Sequence, residues 1–127
     1  MTSSVFSVCD YYELLALHRA LLEAKFCDEP NDNDVSGSPI VASLHRQLVE
    51  ALVEAESERK GVEARSAWTK WLALSSGRRE WKVALGRARS EPQWNGWTEK
   101  DRLSYARALL SPFSVSDELL AEFIRCV

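Results

Sequence analysis

Apolar residues recur in steps of three and four through most of this chain, and no segment sustains alternation in steps of two. Leu14, Leu15, Leu17, Leu21 and Leu22 form one such series. Ile40, Val41, Leu44, Leu48, Val49, Leu52 and Val53 form another. Steps of three and four gather side chains on one face of a helix, whereas a half-buried strand needs alternation. The chain is therefore predicted to be all-α, with no sheet.

Helix signals punctuate that pattern. Asp10 followed by Glu13 is an Asp version of the capping box, with Cys9 and Leu14 placed as a staple. The first helix ends near Phe26, ahead of the breaker-rich stretch CDEPNDNDVSGSP. Ser38 caps a second helix that opens at Pro39, a favoured first-turn residue. Gly61 either ends or interrupts it. Trp68, Trp71 and Leu72 mark a third segment to about Leu74, broken by SSG. A fourth helix carries Trp81, Leu85 and Ala88 and stops before Pro92. Thr98 with Asp101 starts a fifth, which Pro112 closes, and Ser114 or Ser116 caps a last helix through Ile124. The expected architecture is a compact bundle or orthogonal array of five to six helices. At 127 residues the length prior gives a single helical domain over 1–127.

A chain of this size buries about two-thirds of its unfolded surface and needs no staples to fold. Its 46% hydrophobic and 28% charged residues are those of a soluble globular protein. No apolar run approaches the ~20 residues of a membrane span. The start MTSSVFSVCDYYE lacks the basic and apolar regions of a secretory signal. A cytoplasmic location follows as the expectation, with no membrane partner. Cys9, Cys27 and Cys126 include no C-x-x-C pair. Cys9 and Cys27 flank one helix that holds them about 25 Å apart, too far for a bond. All three are read as reduced thiols.

The net charge of −3 is unevenly spread. Residues 1–60 hold 5 Lys/Arg against 11 Asp/Glu, and residues 61–127 hold 11 against 8. All five tryptophans lie in the second part, at 68, 71, 81, 94 and 97. The segment GRREWKVALGRAR concentrates Arg78, Arg79, Lys82, Arg87 and Arg89 against one acid, Glu80. Trp94 and Trp97 flank Asn95-Gly96 in the following loop and are expected to be partly exposed. Arginine and tryptophan are the residues enriched in interface hot spots. The seven residues Arg78, Arg79, Lys82, Arg87, Arg89, Trp94 and Trp97 are therefore the candidate partner-binding surface. The competing reading is internal, with the arginines paired to Glu54, Glu56 or Glu58 and the tryptophans in the core. Basic residues around Trp81 could also hold phosphates and stack a base. A pI of about 5.4 argues against a nucleic-acid footprint.

The only two histidines occupy the same frame, LHRALLEA at 17–24 and LHRQLVEA at 44–51. At about 100° per residue, His18 falls amid Leu14, Leu15, Leu21 and Leu22, and His45 amid Val41, Leu48, Val49 and Leu52. Each imidazole thus sits on a buried stripe. The first reading is a core histidine hydrogen-bonded to a tyrosine, a carbonyl or a water. The second is a metal or haem site between helices, although Leu15 and Ala42 stand where a Glu-x-x-His pair would put its carboxylates. The third is a pH-sensitive core. Asp32–Gly37 has the D-x-D-x-S-G spacing of a calcium loop, but Ser43 stands where an EF-hand needs its Glu. No G-x-S-x-G turn, P-loop or dinucleotide fingerprint is present.

These features point to a small non-catalytic protein-binding module: an adaptor, a regulator, or a neutralising protein of immunity or antitoxin type. The alternatives are a helical metal or haem binder using His18 and His45, and a nucleic-acid-binding regulator using residues 78–89. A protein partner is expected, nucleic acid is not, self-association is left open, and no cofactor is expected.

Overall fold

A computed structural model describes residues 6–28 and 32–127. Seven α-helices lie among them: α1 (Tyr11–Phe26), α2 (Asn33–Ser36), α3 (Pro39–Lys60), α4 (Glu63–Leu72), α5 (Arg79–Arg89), α6 (Glu99–Leu110) and α7 (Asp117–Cys126). A single 3₁₀ turn spans Trp94–Gly96. The all-α class holds, with seven helices in place of five to six.

The capping signals act where the sequence puts them. The Asp10 side chain accepts from the amides of Tyr12 and Glu13, Ser38 from Val41, Thr98 from Asp101 and Ser116 from Leu119. Each satisfies an amide that has no partner inside its own helix. Gly61 ends α3 at φ 91°, a left-handed backbone that favours glycine, so α3 and α4 are separate helices. The additional helix is α2. Asp32 caps it, and Ser36 and Gly37 bond back to Asp32 and Asn33. Asp, Asn and Ser break a helix in its interior but start one at its N-terminus, and here the second role wins.

α1 and α3 pack antiparallel, since Tyr11 meets Glu56 near one end and His18 meets His45 further along. Leu14, Leu48 and Leu52 form a small core there, with Trp68 of α4 packed on it. The larger core gathers Phe26, Trp81, Leu85, Trp94, Leu109, Phe113, Leu120 and Phe123 from α1, α5, α6, α7 and the connecting loops. α4 stops at Leu72, two residues short of the sequence expectation. The chain then runs extended, and Leu72 and Leu74 bond the backbone of Ser114 at 2.8 and 3.0 Å, an isolated parallel bridge. No described helix is long and apolar enough to cross a membrane.

Candidate functional site

The basic segment does not present all its charges outward. Arg78 donates to the carbonyl of Trp71, pairs with Glu80 at 3.3 Å and lies 4.5 Å from the centroid of the Phe113 ring. Arg87 is buried and donates to the carbonyl of Cys27. Arg89 donates twice to the Cys126 carbonyl, at 3.1 and 2.6 Å, which ties α5 to the end of α7. Arg79 reaches Asp28 at 3.4 Å on the surface, and Lys82 is exposed. The partners are thus Glu80, Asp28 and backbone carbonyls; Glu54, Glu56 and Glu58 take no part.

Trp94 corrects the sequence expectation, because it is only 7% exposed. The 3₁₀ turn folds its indole onto the larger core, and Arg102 of α6 clamps the turn by donating to the carbonyls of Trp94 and Asn95 at 2.9 and 3.1 Å. Trp97 is half-buried and stacks edge-on against Tyr105 at 5.0 Å. Of the seven residues singled out by sequence, Arg79, Lys82 and Arg89 are exposed.

The acidic stretch at Asp32–Gly37 is a capped helical turn. Its Asn33 side chain accepts from the Tyr105 hydroxyl at 2.8 Å. The Asp32 and Asn33 carbonyls are engaged in that turn.

The two histidines bond each other. His18 Nδ1 and His45 Nε2 are 2.9 Å apart, in rings that are 3% and 0% exposed. One ring donates its N–H into the lone pair of the other. Burial lowers the pKa of both. Arg19 pushes His18 down further, and the His18 ring and Lys25 help bring His45 to about 3. Two imidazoles on one tetrahedral metal sit about 3.3 Å apart, from metal–nitrogen bonds of ~2.0–2.1 Å, and this pair is closer. Among the described residues no group of three or more His, Cys, Asp or Glu side chains could hold a metal ion.

Two clefts flank these features. The first, of about 700 Å³, opens between α3 and α6. Its walls are apolar, with Ala42, Leu103, Phe113, Val115 and Leu120, and its cations are Arg46, Lys100 and Arg107. No acidic side chain is in its lining, and Arg107 forms a long, exposed pair with Asp117 at 3.9 Å. Arg46 donates to the Ser111 hydroxyl at 3.3 Å, and that hydroxyl donates to the Ala42 carbonyl at 3.1 Å. Behind this floor lies Lys25, 1% exposed, whose Nζ donates to the carbonyls of Ala108 and Ser111 at 2.7 and 2.6 Å. Ala108 would normally bond the amide four residues on, which is Pro112 and carries no hydrogen. Lys25 takes that role. Burial, with Arg46 and Arg87 nearby, brings its pKa down to about 7.

The second cleft, of about 530 Å³, lies among α1, α3 and α4. Tyr11, Trp68, Trp71 and His18 form its aromatic walls. Glu56 accepts from the Tyr11 hydroxyl and the Trp68 indole and pairs with Lys60 at 3.3 Å. These bonds, the Trp68 one foremost, hold its carboxyl below the usual carboxylate range.

Sequence reasoning missed Lys25 and the cationic cleft. The signal for Lys25 was available: it lies seven residues after His18 and eleven after Leu14, on the same buried stripe. Compared with protein-family models, curated proteins and solved structures, the chain has no match in any of the three.

Proposed function

We propose that this chain is a small non-catalytic protein-binding module, an adaptor, regulator or neutralising protein of immunity or antitoxin type. Its docking surface is the α3–α6 cleft, and its partner presents an acidic segment with an apolar anchor. The observation that carries this reading is the composition of the cleft: Arg46, Lys100 and Arg107 around apolar walls, with no acid in the lining. An apolar side chain entering between Leu103, Phe113, Val115 and Leu120 would be desolvated there. Carboxylates on the same segment would reach the three cations. Charged rims act mainly on association rate and specificity, and the buried anchor supplies affinity. Burial of Trp81, which is 3% exposed, weighs against the nucleic-acid alternative, which loses its stacking residue.

Selection of random displayed peptides on the purified protein tests this. The expected winners combine Asp or Glu with a large apolar residue, and bind more weakly as salt rises. The Lys100→Glu, Arg107→Glu double variant should lose them, and Arg79→Glu should keep them. Enrichment of basic peptides, or full binding to the double variant, would overturn the assignment.

A further inference from the structure

The second cleft has a polar group at its base that the fold leaves unused. His18 is buried, lines the cleft, and spends Nδ1 on His45. Which proton sits where follows from His45. Its Nδ1 is buried and has no hydrogen-bond partner. An orphaned lone pair is tolerated inside proteins more readily than an orphaned N–H. His45 Nδ1 is therefore the bare nitrogen, and His45 Nε2 carries the proton and donates it to His18 Nδ1. The neutral His18 ring then has its own proton on Nε2. That N–H has no acceptor among the described residues. The ring that carries it packs against Trp68 and Trp71, with centroids 5.5 Å from each, and the two indoles meet edge-on at 5.6 Å.

The charges at the cleft divide in the same direction. Glu56 is its only acid, and it is already engaged by Tyr11, Trp68 and Lys60. Lys60 is thereby neutralised. Arg19 forms no ion pair with any described acid and is exposed at the edge of the cleft. A volume of about 530 Å³ is within the range of small-molecule sites, which are mostly apolar with a few placed polar groups. The empty valences are one N–H donor and one guanidinium, and the walls are indole and phenol rings. A cationic ligand would meet Arg19 and find Glu56 occupied.

We propose that this cleft binds a small planar aromatic carboxylic acid. Its ring lies against Trp68 and Trp71, and its carboxylate accepts from His18 Nε2–H and pairs with Arg19. The site uses none of the residues of the α3–α6 cleft, so it stands or falls apart from the protein-docking reading. The histidine pair acquires a role beyond core packing: His45 fixes the tautomer that turns His18 into a donor.

The probes are 2-naphthoate and its neutral counterpart 2-naphthamide, titrated into the full chain. The readouts are calorimetry and the five indole N–H signals, assigned with single Trp→Phe variants. The indoles of Trp68 and Trp71 should shift, and those of Trp81, Trp94 and Trp97 should stay. The acid should bind at least about tenfold tighter than the amide, since a hydrogen bond to a charged group is worth at least that factor. Arg19 is exposed, so Arg19→Gln should fold normally; it should weaken the acid about tenfold and leave the amide unchanged. Ala67 lines the cleft and is also exposed, so Ala67→Phe should block both probes without lowering the melting temperature. Equal affinity for acid and amide, an acid insensitive to Arg19→Gln, shifts at the other three tryptophans, or no saturable binding up to millimolar probe would each overturn the proposal.

Discussion

The natural chain should gain stability between pH 7 and 9.5, and replacing Lys25 by Met should remove that gain. The side chain is 1% exposed, and burial, with Arg46 and Arg87 nearby, brings its pKa from 10.5 down to about 7. Between those two values the unfolded chain holds a proton that the folded chain has given up. More protons on the unfolded state means that stability increases with pH, by up to about 1.4 kcal/mol per unit. Over pH 7 to 9.5 the gain is about 3 kcal/mol. Met carries no proton and has no such slope. It also leaves the Ala108 and Ser111 carbonyls without their donor, at about 1–3 kcal/mol for each buried group. The variant should thus fall furthest behind at pH 9.5, and the deficit should shrink by about 3 kcal/mol on going down to pH 7. Tyr105 sets the upper limit of the range. Burial and Glu91 raise its pKa to about 12, so above about pH 10 the unfolded tyrosine ionises first and stability turns down. Urea unfolding of both proteins at pH 7, 8, 9 and 9.5 measures the difference, in which every other titrating group cancels. Parallel curves would refute the reasoning. They would mean that the two carbonyls at the end of α6 hold Lys25 as an ammonium in the fold.

Acid should act through the histidine pair. The folded His45 stays neutral down to about pH 3, whereas its unfolded form takes a proton near 6.5, so stability falls as pH drops below 6.5, by about 3 kcal/mol at pH 4. His45→Gln should flatten that part of the stability–pH curve, and an unchanged slope in denaturant titrations would show that His45 protonates without unfolding. Trp94→Ala should cost about 3–5 kcal/mol as a large-to-small core change and lower the melting temperature by more than about 10 °C. Trp97→Ala, at a half-buried position, should cost less than half as much, and a Trp94→Ala protein melting within a few degrees of the natural chain would return that indole to the surface.

The sequence was most legible where one residue type had one role. Ser38 before Pro39 and Thr98 before Asp101 read as helix starts, Ser114 or Ser116 read as the start of the last helix, and Ser38, Thr98 and Ser116 each accept from an amide of the first turn. It was least legible where the same residue type does opposite things. Asp32, Asn33 and Ser36 read as loop because such residues break helices, yet they cap and close α2. The histidines were placed correctly on two buried stripes, but their pairing depends on the antiparallel register of α1 against α3, which neither stripe contains. The arginines are the clearest case. Counting charge along residues 61–127 gives one basic region. The fold divides it by what lies within reach of each guanidinium. Arg78, Arg87, Arg89 and Arg102 find carbonyls left free at chain turns and helix ends, and become internal ties. Lys100 and Arg107 line a cleft with no acid in its lining, and the one acid paired with Arg107, Asp117, is fully exposed and 3.9 Å away. Whether a cation holds the fold together or faces a partner is thus decided by unpaired carbonyls. Those are set by tertiary contacts and by residues such as Pro112 that withhold a hydrogen. A lysine on a buried stripe, matched to a helix that ends one residue before Ser111-Pro112, is the one such pairing that the sequence shows in advance.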